Sequence, residues 1–205
     1  MTGPTGKAAL RRELLRHRLA RPAAEVDSSA PALTEHVLAV LDDRLRGGSE
    51  TGSQTVTAYA ALGGEPPTGP LLAALAARGV PVLLPVLRSD GDLDWARAGL
   101  GELEAGRAGT RQPPGPLLGP EAVTSVGALV IPGLAGDPAG RRLGRGGGSY
   151  DRALARVRRG VPVLLLLHDD EVVDHVPVEP HDRQVTHLVT SRRVLVAQPP
   201  GGGLD

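Results

Sequence analysis

Residues 128–159 limit the possible folds more than any other stretch. They open with Ala-Leu-Val-Ile-Pro, an apolar run of strand length. A loop follows, in which residues 141–152 include four glycines and four arginines. Residues 150–159 then have the spacing of a helix. Strand, glycine loop and helix in that order point to an α/β architecture. Glycines let backbone N–H groups come close to a ligand. A helix start aligns further N–H groups and carries partial positive charge, and the arginines add more. The combination predicts an anion cradle, with phosphate as the natural occupant. The plainer alternative is a glycine-rich surface turn.

The rest of the chain supplies the layers. Residues 7–19 read as a helix with Leu10, Leu14 and Leu15 on one side, ended by Pro22. Lys7, Arg11 and Arg18 fall within about 40° of each other on another face, which by itself reads as a solvated basic stripe. A second helix is expected over 31–45, capped by Ser28 or Ser29 and stopped by Gly47-Gly48. Strands are expected over 54–62, 80–87, 93–98, 127–132 and 161–167, with short ones at 187–190 and 194–197. A helix over 68–78, opened by a Thr68 cap, gives β-α-β spacing. The expected fold is therefore a single three-layer α/β/α domain over residues 1–197, with a mostly parallel central sheet and helices on both faces. Residues 198–205 are expected to be a flexible Pro/Gly-rich tail. Residues 99–120 show no sustained period; such a long connection suggests a flap or an excursion across a site. Residues 171–176 read as a short helix or turn.

Composition narrows the function classes. Acidic and basic residues balance, so no global field favours nucleic acid or an anionic membrane. Without cysteine there is no disulfide, thiolate metal site or cysteine nucleophile. With no apolar leader or spanning run, a soluble cytoplasmic protein is expected, acting as a monomer. The only aromatics are Tyr59, Trp95 and Tyr150, so the core must be built from Leu, Val and Ala. Tyr150 stands beside the glycine loop, whereas Trp95 reads as core.

The loop fits no common nucleotide motif. It lacks the Gly-Lys-Ser/Thr of a Walker A loop, and Ser149 stands where a dinucleotide fingerprint needs glycine. Ser149 is no nucleophile elbow either, because Asp151 occupies the position that motif reserves for glycine; the residue reads as a helix N-cap. Asp151 suits a helix start, yet a carboxylate beside a phosphate cradle repels the anion. A divalent metal between them removes the conflict. Mg²⁺ is commonly held by one or two carboxylates plus phosphates. Asp182, in the loop 177–182, is the candidate second carboxylate, and backbone bonding in its own loop is the plainer role for it.

Taken together, Gly140-x-Arg142-Leu143-Gly144-x-Gly146-Gly147-Gly148-x-Tyr150-Asp151-Arg152 resembles the signature of the 5-formyltetrahydrofolate cyclo-ligase (5,10-methenyltetrahydrofolate synthetase) family. Further segments agree in order: Lys7-x-x-x-Arg11, Glu65-x-x-Thr68, Val130-Ile131-Pro132-Gly133 with Asp137, and Val176-Pro177-x-Glu179-x-His181-Asp182 followed by Thr190. The resemblance implies an enzyme that uses ATP as co-substrate and Mg²⁺ to convert 5-formyltetrahydrofolate to 5,10-methenyltetrahydrofolate. It implies that Lys7 and Arg11 contact ATP phosphates, with Lys7 and Arg145 as the catalytic cations. The nucleotide would be wrapped by Arg142, Leu143, Gly144, Arg145, Gly146, Gly147, Gly148, Ser149 and Tyr150. Ala60, Glu65, Arg145 and Ser149 would meet the folate, and Asp151 and Asp182 would hold Mg²⁺. Two other classes stay open on the residues alone. One is a metal-dependent phosphohydrolase built on His168, Asp169, Asp170, His181 and Asp182. The other is a non-catalytic nucleotide or phosphosugar sensor.

Overall fold

The computed structural model describes residues 6–46 and 53–198. The Gly47-Gly48 stop, and all of the expected tail except Gln198, lie outside them. Gln198 itself donates its backbone N–H to Pro138 O at 2.9 Å.

At the centre is a seven-stranded sheet of β1 (Val56–Thr57), β2 (Val82–Leu87), β3 (Leu93–Arg97), β6 (Ala128–Pro132), β9 (Val163–Leu166), β10 (His187–Val189) and β11 (Val194–Val196). In space the order is β11-β10-β9-β6-β1-β2-β3. The five inner strands run parallel, while β3 and β11 close the two edges antiparallel. Strands buried on both faces need continuous apolar runs, which is what residues 128–132 and 163–166 supply.

Alternation sorts these strands into two cores. Ala128, Val130, Leu164 and Leu166 face α3 (Ala30–Arg46) and α4 (Gly69–Ala77), meeting Leu33, Val37, Leu41, Leu71 and Leu75. Leu129, Ile131, Val163 and Leu165 face the other way, onto Ala153 and Leu154 of α5 (Ser149–Arg156) and a 3₁₀ turn, Pro120–Ser125. The three-layer expectation therefore holds. A third, smaller cluster sets Leu14 of α1 (Lys7–Ala20) against Leu134, Ala135, Leu143 and Val176. Two of these belong to a small hairpin of β7 (Ala135–Gly136) and β8 (Arg142–Leu143) that leads into the glycine loop.

Several local expectations are corrected. Pro22 does end α1, and Arg21 before it is extended, but a further short helix, α2 (Ala23–Ser28), starts at once. Ser28 and Ser29 do not cap α3 through their side chains. Their hydroxyls donate back to Glu25 O and Val26 O of α2. Thr68 precedes α4 without a side-chain cap; its buried hydroxyl binds Tyr59 O and Ala61 N instead. The strand expected over 54–62 shortens to Val56–Thr57; Ala58 keeps one bond to β2, from its N–H to Leu83 O at 3.0 Å, and beyond it Tyr59, Ala60 and Leu62 line the site. Trp95 is fully buried, as expected of a core residue. The irregular connection contains a small hairpin, β4 (Glu104–Ala105) and β5 (Arg111–Gln112).

Candidate active site

The chain runs from β1 to β2 on one side, then returns to place β6 on the other side of β1. That reversal opens a crevice beyond the carboxyl ends of β1 and β6, the position where open α/β sheets bind ligands. A cleft of about 780 Å³ lies there. Its walls include Lys7, Arg11, Ala60, Glu65 and every residue from Arg142 to Arg152, together with Asp182. The residues that the resemblance assigns to ATP, folate and Mg²⁺ thus all line one cleft.

Glycine geometry shapes the loop. Gly146 and Gly148 have φ of 102° and 68°, values a side chain disfavours. Gly148 is the left-handed residue that starts α5. Ser149, read from sequence as the N-cap, is instead the first helical residue, and its hydroxyl donates to Gly91 O at 2.6 Å. This bond and one from Arg152 Nη2 to the same oxygen fix the loop to the turn before β3.

The charges are arranged in pairs. Lys7 Nζ donates to Asp182 Oδ2 at 2.5 Å and to Glu179 Oε2 at 3.0 Å. Arg142, almost fully buried, donates to Asp151 Oδ2 at 2.9 Å and lies 5.8 Å from the centroid of the Tyr150 ring. Arg145 reaches Glu65 Oε1 at 2.9 Å, and Arg11 donates to Gly144 O at 2.9 Å. Burial disfavours charge on Lys7, but the hydrogen bonds and charges of Asp182 and Glu179 prevail and raise its pKa. Asp182 is likewise opposed by burial, yet Lys7 and the Glu179 N–H hold it below its usual value. Burial pushes the Tyr150 hydroxyl far up, and Glu65 adds to the effect. Tyr59 is raised for the same first reason.

Asp151 and Asp182 both line the cleft. Asp182, however, keeps closer company with Glu179 and His181, whose ligand atoms lie within 4.8 Å of one another and of its own. An oxygen-rich donor set beside a phosphate cradle suits a hard cation such as Mg²⁺. The hydrolase cluster is not assembled. His168 Nε2 is 3.0 Å from Gly64 O, Asp169 accepts from Thr190 and Ser191, and Asp170 binds Arg21. Nor is the basic stripe of α1 solvated. Lys7 and Arg11 face the cleft, while Arg18 is buried against Glu171.

The family model for 5-formyltetrahydrofolate cyclo-ligases matches residues 4–191. The protein belongs to that family. A 5-formyltetrahydrofolate cyclo-ligase of Mycolicibacterium smegmatis is 37% identical over 199 residues, 95% of this chain and 98% of that one. The Escherichia coli enzyme of the same name is 33% identical over 147 residues, 69% of this chain and 80% of its own. Among solved structures, the 5,10-methenyltetrahydrofolate synthetase of Aquifex aeolicus superposes with a TM-score of 0.73 at 27% identity. That match covers 97% of this chain and 96% of the other.

Sequence reasoning did not assign a role to the apolar side of the cleft: Tyr59, Leu62, Pro85, Leu87 and Leu93. Three of these, Pro85, Leu87 and Leu93, come from β2 and β3, whose antiparallel pairing brings their ends together only in the folded sheet. The β4–β5 hairpin adds Ala108, Thr110 and Arg111 to the wall, so the expected excursion across a site is there. Ala108, at its tip, has φ 51°, a left-handed value unusual for a residue with a side chain. Glu179 and Arg183 also line the cleft; Glu179 is one of the residues of the matched segment 176–182, but the sequence reading gave it no task.

Proposed function

We propose that this cleft joins ATP and 5-formyltetrahydrofolate, giving 5,10-methenyltetrahydrofolate, ADP and phosphate. The observation that carries the reading is the pairing of cations with carboxylates around the glycine loop. Lys7 holds Asp182, and Arg142 holds Asp151. An entering triphosphate offers those cations a stronger anionic partner and frees both carboxylates. Mg²⁺ held by Asp151 and Asp182 would neutralise charge on the phosphates.

The residues of the chain then have separable tasks. Lys7, Arg11, Arg142 and Arg145 supply positive charge, and the N–H groups of residues 144–150 cradle the phosphates. Glu65, Ala60 and the apolar wall meet the folate, and Arg145, bonded to Glu65, lies between the two ligands. The formyl oxygen is a poor leaving group. It attacks the γ-phosphorus, ADP departs, and an imidate-like phosphate results. N10 then attacks the formyl carbon, its proton passes to solvent, and phosphate leaves with the former formyl oxygen. Phosphoryl transfer of this kind needs alignment and positive charge but no enzyme nucleophile. The absence of cysteine and the engagement of Ser149 with Gly91 agree with that.

The test is formation of methenyltetrahydrofolate, followed by its absorbance, with ATP or Mg²⁺ present or withheld. A heavy-oxygen label in the formyl group is expected in the released phosphate. Nucleotide binding without turnover would favour the sensor reading, and label released into water instead of phosphate would rule out the phosphorylated intermediate.

A further inference from the structure

Arg18 and Glu171 are among the few buried charged residues, at 4% and 2% exposure, and neither lines the cleft. Arg18 Nε donates to Glu171 Oε1 at 2.5 Å and Nη2 to Oε2 at 2.7 Å. Nη2 also donates to Gly133 O at 2.5 Å. Gly133 follows β6 and is part of the cleft wall. Glu171 Oε2 accepts the backbone N–H of His168 at 3.0 Å, and the His168 ring reaches Gly64 O. Gly64 packs so closely on α1 that an added Cβ would come 3.1 Å from the Arg18 carbonyl oxygen. The next residue, Glu65, holds Arg145. Arg18 is also near enough to Glu65 for that carboxylate's charge to be felt at its guanidinium.

Four segments therefore meet at one side chain: α1, the turn after β1, the end of β6 and the turn after β9. The N-terminal half of α1 carries Lys7 and Arg11 on the phosphate side, and the turn after β1 carries Glu65 on the opposite side. We propose that Arg18, through Glu171, is a positioning residue that holds the phosphate-binding cations and the folate-facing carboxylate in one fixed relation. It touches neither ligand. Phosphoryl transfer depends on alignment, and misplacement by about 1 Å can cost about 10²-fold. The inference rests on the cyclo-ligase reading for the identity of the two ligands.

Removing one partner strands a buried charge, so Arg18→Met alone would be hard to interpret. Replacing both by apolar residues of similar volume is often neutral for stability. The informative protein is therefore Arg18→Met/Glu171→Leu, with Arg21→Met as control, since the Arg21 side chain binds Asp170 and Glu25. The double variant is expected to melt close to wild type and yet lose about tenfold or more in kcat/KM. KM should rise for both substrates, and a non-hydrolysable ATP analogue should bind more weakly by calorimetry. The control should match wild type. Arg18→Lys, which keeps the charge but loses the planar fork, should show the same double loss and serves if the double variant does not fold. Full activity in either variant overturns the proposal, as does a loss confined to one substrate. Wild-type protein that makes no methenyltetrahydrofolate would instead reject the cyclo-ligase reading, and the affinity for the ATP analogue alone would then decide the role of Arg18.

Discussion

Replacing Lys7 with methionine keeps the stem of the side chain and removes its charge. The effect on stability is expected to be small. Lys7 and Asp182 are 11% and 15% exposed and open onto the cleft, and Glu179 is half exposed. Asp182 keeps a second bond, from the Glu179 N–H at 2.6 Å, so it is not stranded. The loss should be about 1 kcal/mol, or about 2–4 °C in Tm for a chain of this size. Catalysis should suffer far more. A preorganised cation aimed at developing charge contributes about 2.7–4 kcal/mol, so kcat should fall about 10²–10³-fold. The pH profile of stability offers a second check. The raised pKa of Lys7 means its contribution is complete below 10.5 and lost as pH rises through the folded value. The lowered pKa of Asp182 means its contribution is present above 3.8 and lost as pH falls through the folded value. The stability gap between wild type and Lys7→Met should therefore be flat through the neutral range and close at both extremes. Steady-state absorbance kinetics with ATP varied, beside urea unfolding, separate the two effects. A kcat within about threefold of wild type would refute the role given to Lys7.

Two further outcomes follow from the same geometry. Thr68→Val removes a buried hydroxyl that donates to Tyr59 O and accepts from Ala61 N. Stability should drop by about 2 kcal/mol, and KM for the folate should rise more than KM for ATP, because this turn carries Ala60 and Glu65. The two tyrosines offer a spectroscopic test. Both hydroxyls are held up, first by burial and then by Glu65. Native protein should show no tyrosinate absorbance just above pH 10, and stability should decline with pH from there, because only the unfolded chain releases those protons. Tyrosinate signal in still-folded protein would contradict the burial.

The core and the phosphate side of the cleft could largely be read from the chain. Periodicity alone separates the two faces of β6 and β9, because successive side chains in a strand point opposite ways. The glycine loop is legible because positive φ at Gly146 and Gly148 demands that residue type. Lys7 and Arg11 stand four apart, one turn of a helix. Other features had no local signature. The seryl and threonyl caps failed because a hydroxyl bonds to whichever backbone group the fold brings near, and at Ser149 that is Gly91, far away in the chain. The apolar wall of Pro85, Leu87 and Leu93 depends on strand pairing, and the placing of Arg18 apart from Lys7 and Arg11 depends on where Glu171 lies.

The sequence by itself determined the element types, the two-sided apolar sheet and the chemistry of the cradle, since these follow from residue-level conformational preference and from spacing along the chain. Only the tertiary structure decided which charges meet. Lys7 with Asp182, Arg145 with Glu65 and Arg18 with Glu171 are matched across the fold, and Arg142 with Asp151 across the turn of the glycine loop. Electrostatic pairing acts over a few ångströms, whatever the separation in sequence. The strand order that puts β6 beside β1 therefore turns scattered charges into one site.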